Sequence, residues 1–182
     1  EPIELAAKEG LALINGVQIS NAIGLAALAR LRNLSISADI AGALSVEAIM
    51  GSHRPFDPRV VEVRPHPGAA ATSSNLRKLL RGSQVAKAHS NCERVQDPYS
   101  FRCMPQVHGA AKDAVAHAAE VLVREANAAT DNPLIFPDQG DSISAGNFHG
   151  QPIALPLDYA ANACCSWGNI SERRTSELIH PA

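Results

Sequence analysis

The sequence predicts a mainly α fold: long, nearly antiparallel helices of a larger bundle, with one small hairpin-like excursion near residue 140. Two observations carry this. Alanine is abundant while aromatic residues make up only 4% of the 182-residue chain, a balance that favours helices packed through small side chains over β-sandwiches. The stretch PQVHGAAKDAVAHAAEVLVREANAA also sets Val107, Ala111, Ala114, Ala118, Val121 and Leu122 at helical spacing.

Taken in chain order, a first helix is expected from Pro2, a good opening residue, through IELAAKEGLALI, ended by Asn15 and Gly16. A second follows through NAIGLAALARLRNL and a third through SADIAGALSVEAIMG, with Gly51 as terminator. Prolines at 55, 58, 65 and 67 predict an extended connection from Ser52 to Ala71. SSNLRKLLRGS reads as a short helix with a glycine stop, and SQVAKAHSNCERV as a further helix or a mobile segment. Asp97 before Pro98 predicts a capped helical turn, which Pro105 keeps short by disfavouring helix at Met104. The long helix from Pro105 comes next, with Glu120 and Arg124 spaced for an ion pair on its polar side. TDNPLIFPDQGDSISAGNFHGQP then holds two β-prone pieces, Leu134 to Phe136 and Ser142 to Ser144, around a turn. After Pro152 a last helix runs through IALPLDYAANACCSWGNISERRTSELI, with a bend at Pro156. The chain stops at His180-Pro181-Ala182 with no domain-closing element, so residues 1–182 read as the central segment of an incomplete domain.

Charge and motif content exclude several functions. A formal net charge of -2 with scattered Lys and Arg leaves no basic face for nucleic acid. No apolar run reaches membrane-spanning length, and the first ten residues lack the basic and apolar regions of a secretory signal, so a cytoplasmic protein without membrane contact is expected. Cys92, Cys103, Cys164 and Cys165 form no Cys-x-x-Cys pair and fit free thiols in a reducing compartment. Among the seven histidines none lies in a ligand motif, and His108 and His117 fall on opposite faces of one helix, so no metal is expected. No Gly-x-Ser-x-Gly elbow supports hydrolase chemistry.

Three short stretches hold the remaining chemistry. In RVQDPYSFRCMPQ, Tyr99 and Arg102 are three apart on one face of a turn, with Gln96 just ahead of it. Locally, the same residues are explained by a capped turn whose arginine ties down a nearby carbonyl or carboxylate. In SAGNFHG, Gly146 and Gly150 would present Asn147, Phe148 and His149 at a tip, or make a tight turn that buries Phe148. In LINGVQ, Asn15 interrupts an apolar run, and on local evidence a helix-terminating Asn-Gly is the better account of it.

Together NGVQ, QDPYSFR, TDNPLIF and GNFHGQP occur in the order and approximate spacing of the aromatic amino acid ammonia-lyases, and the chain resembles the histidine-specific members most. LSVEAIMGSHRPFDPRV and SERR extend the resemblance over essentially the whole chain. It implies elimination of ammonia from an aromatic amino acid, histidine giving urocanate, with a methylidene-imidazolone electrophile made autocatalytically from an internal Ala-Ser-Gly. By resemblance, Arg102 holds the substrate carboxylate, for which a planar two-pronged guanidinium is suited. Asn132 assists it, and Phe148 packs by substrate and prosthetic group. Tyr99 and Gln96 line the prosthetic group, and Asn15 lies next to it. The resemblance further implies a homotetramer whose sites combine residues of several subunits.

Departures from the family pattern are equally specific. The chain has no Ser-Gly dipeptide, and Ser144-Ala145-Gly146 cannot substitute, because the serine must be the middle residue to lose water after ring closure. Ala145 replaces a glycine common in the family. The family's catalytic tyrosine and a histidine for substrate choice belong to a stretch upstream, and a glutamate of the histidine pocket to one downstream. The 182 residues alone are therefore expected to be inactive. Two alternatives share the same residues: a tyrosine or phenylalanine ammonia-lyase or aminomutase, and a non-catalytic paralogue or split-gene subunit that lends the clamp to a partner.

Overall fold

Three long helices, packed side by side, organise the computed structural model, which describes residues 2–92 and 94–179. Helix α1 (Glu9–Ile14) is followed by α2 (Gln18–Ala48), α3 (Pro58–Glu62), α4 (Pro67–Leu79), α5 (Gln84–Ala88), the single turn α6 (Tyr99–Arg102) and α7 (Met104–Ala126). Strands β1 (Leu134–Phe136) and β2 (Asp141–Ile143) form an antiparallel hairpin, with Leu134 opposite Ile143, and α8 (Gln151–Ile179) ends the described chain. Helix α7 is central, packed against α8, α4 and α2. This is the mainly helical fold with a small hairpin that the sequence predicts. The terminal His180-Pro181-Ala182 lies outside the described residues.

Several boundaries differ from expectation, each for a local reason. The first helix starts at Glu9 rather than Pro2, because Lys8 takes a left-handed backbone (φ 74) that cannot continue a helix. The second and third helices are one, α2, since neither Gly nor Pro lies at the supposed break and Ser35 there is buried in the bundle. The proline-rich connection is not extended: Pro58 and Pro67 each open a helix, α3 and α4, at the position where a missing N–H costs nothing. Over SQVAKAHSNCERV, where a helix or a mobile segment is expected and Glu93 lies outside the described residues, the helix is the short α5, capped by Ser83 Oγ accepting from Ala86 N at 2.9 Å. Met104 is helical despite Pro105, and the break falls at Cys103 instead. Among the described residues Glu120 and Arg124 make no ion pair. Pro156 lies within an uninterrupted α8.

The core is held in three places along α7. Phe56, Leu76, Phe101 and Met104 are buried at its N-terminal end with Val46 of α2. Ala111, Ala114 and Trp167 meet in the middle, and Leu28, Leu122 and Ile153 near the C-terminal end. At the α4–α7 crossing Gly68 and Gly109 bring the two backbones together. A Cβ on either would overlap the other helix's main chain, so only glycine permits this approach.

By length and apolarity alone, the Glu9–Ala48 stretch would suffice to cross a membrane, contrary to the sequence expectation. Toward the C-terminal part of α2, Asp39 is buried against polar groups of α4 and α7, which ties this helix into the bundle.

Candidate functional site

At the N-terminal end of α7, the turn α6 is pinned by buried Ser100 and Phe101 and presents Tyr99 outward, with Arg102 half-buried beside it. Phe101 is 1% exposed in the core, and the Pro98 carbonyl accepts from Phe101 N and Arg102 N at 3.1 and 3.2 Å. Pro98, not Asp97, occupies the cap position. Asp97 is buried and its carboxylate accepts from Ser52 N at 2.7 Å, tying the loop to the end of α2. Tyr99 and Arg102 share a face, with the guanidinium carbon 4.6 Å from the ring centroid. Arg102 Nε donates to the Asp97 carbonyl at 3.0 Å. Its two terminal nitrogens have no partner among the described residues, so the local tie leaves the two-pronged edge free. Gln96, exposed, joins Arg102, Asp97, Arg54 and Gln106 in lining a cleft of about 510 Å³.

The asparagines occupy a second cluster. Gly16 has φ 96, and a Cβ there would run into Thr130, so the turn after α1 sits directly on the segment that follows α7. Asn15 Nδ2 donates to Asp131 Oδ1 at 3.0 Å and to the Asn132 carbonyl at 3.2 Å. Asp131 also accepts from Asn132 N at 2.7 Å and pairs with Lys8 Nζ. Hydrogen bonds from Lys8 first, then from Asn132 and Asn15, hold the Asp131 carboxyl below its ordinary range. Asn132 Oδ1 accepts from Ala145 N at 2.7 Å and Ser144 Oγ at 3.2 Å. Each amide thus has one end committed: Asn15 keeps its oxygen, Asn132 its nitrogen. The SAGNFHG tip is anchored through Asn147 Nδ2, which donates to the Ala129 carbonyl at 3.2 Å, while Phe148 stays 42% exposed rather than buried.

Within one chain these clusters do not meet. Gln96, Tyr99 and Arg102 precede α7, whereas Asn132 and Phe148 follow it, and its 23 residues rise by about 34 Å. Asn15 precedes α2 and the Asp97 loop binds just beyond its other end, a helix of 31 residues or about 46 Å.

Between the clusters lies a buried network that the sequence reading did not find. Lys112 Nζ donates to both oxygens of Asp39 at 2.9 Å, and Asn75 Nδ2 donates to Asp39 Oδ2 at 2.8 Å. His108 Nδ1 lies 2.9 Å from Asp39 Oδ1, and Arg174 NH1 is 3.3 Å from His108 Nε2 and 3.4 Å from the Ser100 carbonyl. An arginine can only donate, so His108 Nε2 accepts and Nδ1–H donates to Asp39. Burial holds His108 below its ordinary pKa, with Arg174 and Lys112 adding to that, against the pull of Asp39. Burial opposes ionisation of Asp39, yet its bonds from His108, Asn75 and Lys112 keep its carboxyl low. An acidic residue inside the apolar α2 stretch, with His108 and Lys112 four apart on one helix face, was the available signal. His117 instead sets its ring edge-on to Tyr159, 6.4 Å between centroids.

Among the described residues no group of His, Cys, Asp or Glu is placed to hold a metal, and all four cysteines are free. The sequence profile described as Aromatic amino acid lyase matches residues 1–182. A histidine ammonia-lyase of Sorangium cellulosum is 61% identical, covering 100% of this chain and 36% of that protein. The crystal structure of histidine ammonia-lyase from Trypanosoma cruzi superposes with a TM-score of 0.88 at 44% identity, over 100% of this chain and 33% of that one. The tyrosine aminomutase of Streptomyces globisporus gives 0.89 at 36% identity, over 99% and 38%. The chain spans about a third of the length of the relatives it matches.

Proposed function

The chain belongs to the aromatic amino acid lyase family, and from that premise we propose that residues 1–182 are the central segment of a cytoplasmic histidine ammonia-lyase that converts histidine to urocanate and ammonia. The observation that carries this reading is the 61% identity, over the full chain, to a protein named for that activity. Arg102 then binds the substrate carboxylate through its free terminal nitrogens, with Tyr99 stacked against the guanidinium to limit its rotation. Asn132 adds its free Nδ2 as a second carboxylate donor. Phe148 supplies apolar surface, and Gln96 and Asn15 supply polar groups around the reacting carbon.

Methylidene-imidazolone, the family's prosthetic group, supplies an electrophile that makes the amine a leaving group. These 182 residues contain no Ser-Gly, so they cannot form it themselves. What this segment contributes is binding and orientation. Holding the carboxylate at two points fixes the substrate's reacting carbon relative to the electrophile.

Because the two clusters lie at opposite ends of α7, we assign a complete site to two copies of the chain: Arg102 and Tyr99 from one, Asn15 and Asn132 from another. Exposed Ile19, Ile23, Ile40 and Leu44 along α2 provide apolar surface for such an assembly, a homotetramer by family resemblance. The tyrosine aminomutase likeness supports a second reading, in which the same clamp serves tyrosine. Assaying the polypeptide that carries this segment together with an Ala-Ser-Gly region decides between them. Ultraviolet absorbance of urocanate from histidine supports the first; formation of a β-amino acid or coumarate from tyrosine, with histidine inert, supports the second.

A further inference from the structure

We propose that Asp131 is a positioning residue of the lyase site, one that fixes the Asn15 amide so that its Oδ1 faces the substrate. The inference rests on the assignment of Asn15 and Asn132 to that site.

Both hydrogens of Asn15 Nδ2 are used, one on Asp131 Oδ1 at 3.0 Å and one on the Asn132 carbonyl at 3.2 Å. Turning the amide over would set its oxygen against two acceptors, so the carboxylate allows one orientation only. Asp131 is equally tied to Asn132, whose backbone N donates to the same Oδ1 at 2.7 Å. One carboxylate thereby links the two asparagines and sets their register. Asn15 presents an acceptor, suited to a substrate ammonium or amine, while Asn132 presents a donor, suited to a carboxylate. Lys8 pairs with the remaining oxygen, from a left-handed backbone that ordinary residues seldom adopt. Its ammonium keeps Asp131 ionised without taking Oδ1 from the asparagines. None of the motifs read from the sequence assigns a role to Asp131 or Lys8.

The test uses the full enzyme with Asn15→Ala, Asp131→Ala and the double variant. Urocanate affinity by calorimetry is measured beside kcat, KM and the melting temperature. Asp131 acting through Asn15 predicts that Asp131→Ala lowers kcat/KM tenfold or more and weakens urocanate binding. The double variant should then lose clearly less than the product of the two single losses, the remainder reflecting the Asp131 bond to Asn132 N. Effects that multiply in the double variant would overturn the proposal, because they belong to independent roles. Wild-type kinetics in Asp131→Ala with a crippled Asn15→Ala would also overturn it while leaving the site assignment standing. Wild-type kinetics in Asn15→Ala itself would remove that assignment. If Asp131→Ala fails to assemble, Asp131→Asn, which keeps the shape and one acceptor, carries the same cycle with a smaller expected loss. A loss that again multiplies with that of Asn15→Ala counts against the proposal.

Discussion

The guanidinium carbon of Arg102 lies 4.6 Å from the centre of the Tyr99 ring, and its Nε is spent on the Asp97 carbonyl at 3.0 Å. The side chain is therefore held by its inner edge and its face, leaving the outer edge for a ligand.

Arg102→Lys keeps the charge but loses the fork and the stacking. In the full enzyme it should reduce kcat/KM by about 1–3 kcal/mol, the worth of a charge-assisted hydrogen bond, or roughly 5- to 150-fold. Arg102→Ala should cost more. Steady-state kinetics with melting curves checks this: the kinetic loss should come with little change in melting temperature, because the turn is anchored by Phe101 in the core. A purely local role for Arg102 would instead lower the melting temperature and leave KM unchanged.

Acid should destabilise the bundle through the Asp39 network. His108 is held below its ordinary 6.5, so the unfolded chain binds protons that the folded chain does not, and stability falls as pH drops below about that value. Asp39 is held below 3.8, so its contribution, present above that pH, is lost on further acidification. His108→Gln retains one donor and one acceptor and should flatten melting temperature between neutral pH and about pH 5. Melting curves across that range, for both proteins, are the measurement.

Gly109→Ala should disrupt the α4–α7 crossing, since the new methyl group meets the backbone of Ala69 and Gly68, which cannot rotate away. A loss of about 1–3 kcal/mol or more is expected for such overpacking. Denaturant unfolding of the variant measures it. Gly168→Ala, inside α8 where a Cβ meets nothing, is the matched control and should stabilise by up to about 1 kcal/mol through helix propensity.

The 182-residue chain alone should form no urocanate, because it lacks the Ser-Gly of the electrophile. Absorbance assays on chain free of any longer enzyme test this directly.

Helix identity and the hairpin were legible because periodicity and turn residues are local signals: α7 and β1 fall where the pattern puts them. The fusion of α2 was not, because Ser35-Ile36-Ser37 looks like a break until burial in the bundle is known. Arg102, Tyr99 and Asn132 stood out through their motifs. Asp131 and Asp39 did not, since their partners Lys8, Asn15, His108 and Lys112 lie 69 to 123 positions away. Arg102 and Asn132 flank the helix predicted from Pro105, so their separation was legible, whereas the place of Asn15 beside Asn132 rests on contacts across 116 and 117 positions.

That separation gives the most direct test of the central claim, that one chain's Arg102 works with another chain's Asn132. Arg102→Ala and Asn132→Ala enzymes, each of low activity, are co-expressed with different tags, and mixed oligomers are isolated through both tags. A complete site then pairs an intact arginine from one copy with an intact asparagine from another, so the mixed oligomers should regain a substantial part of wild-type activity. Mixed oligomers no more active than their parents, with assembly and melting temperature intact, would contradict the account.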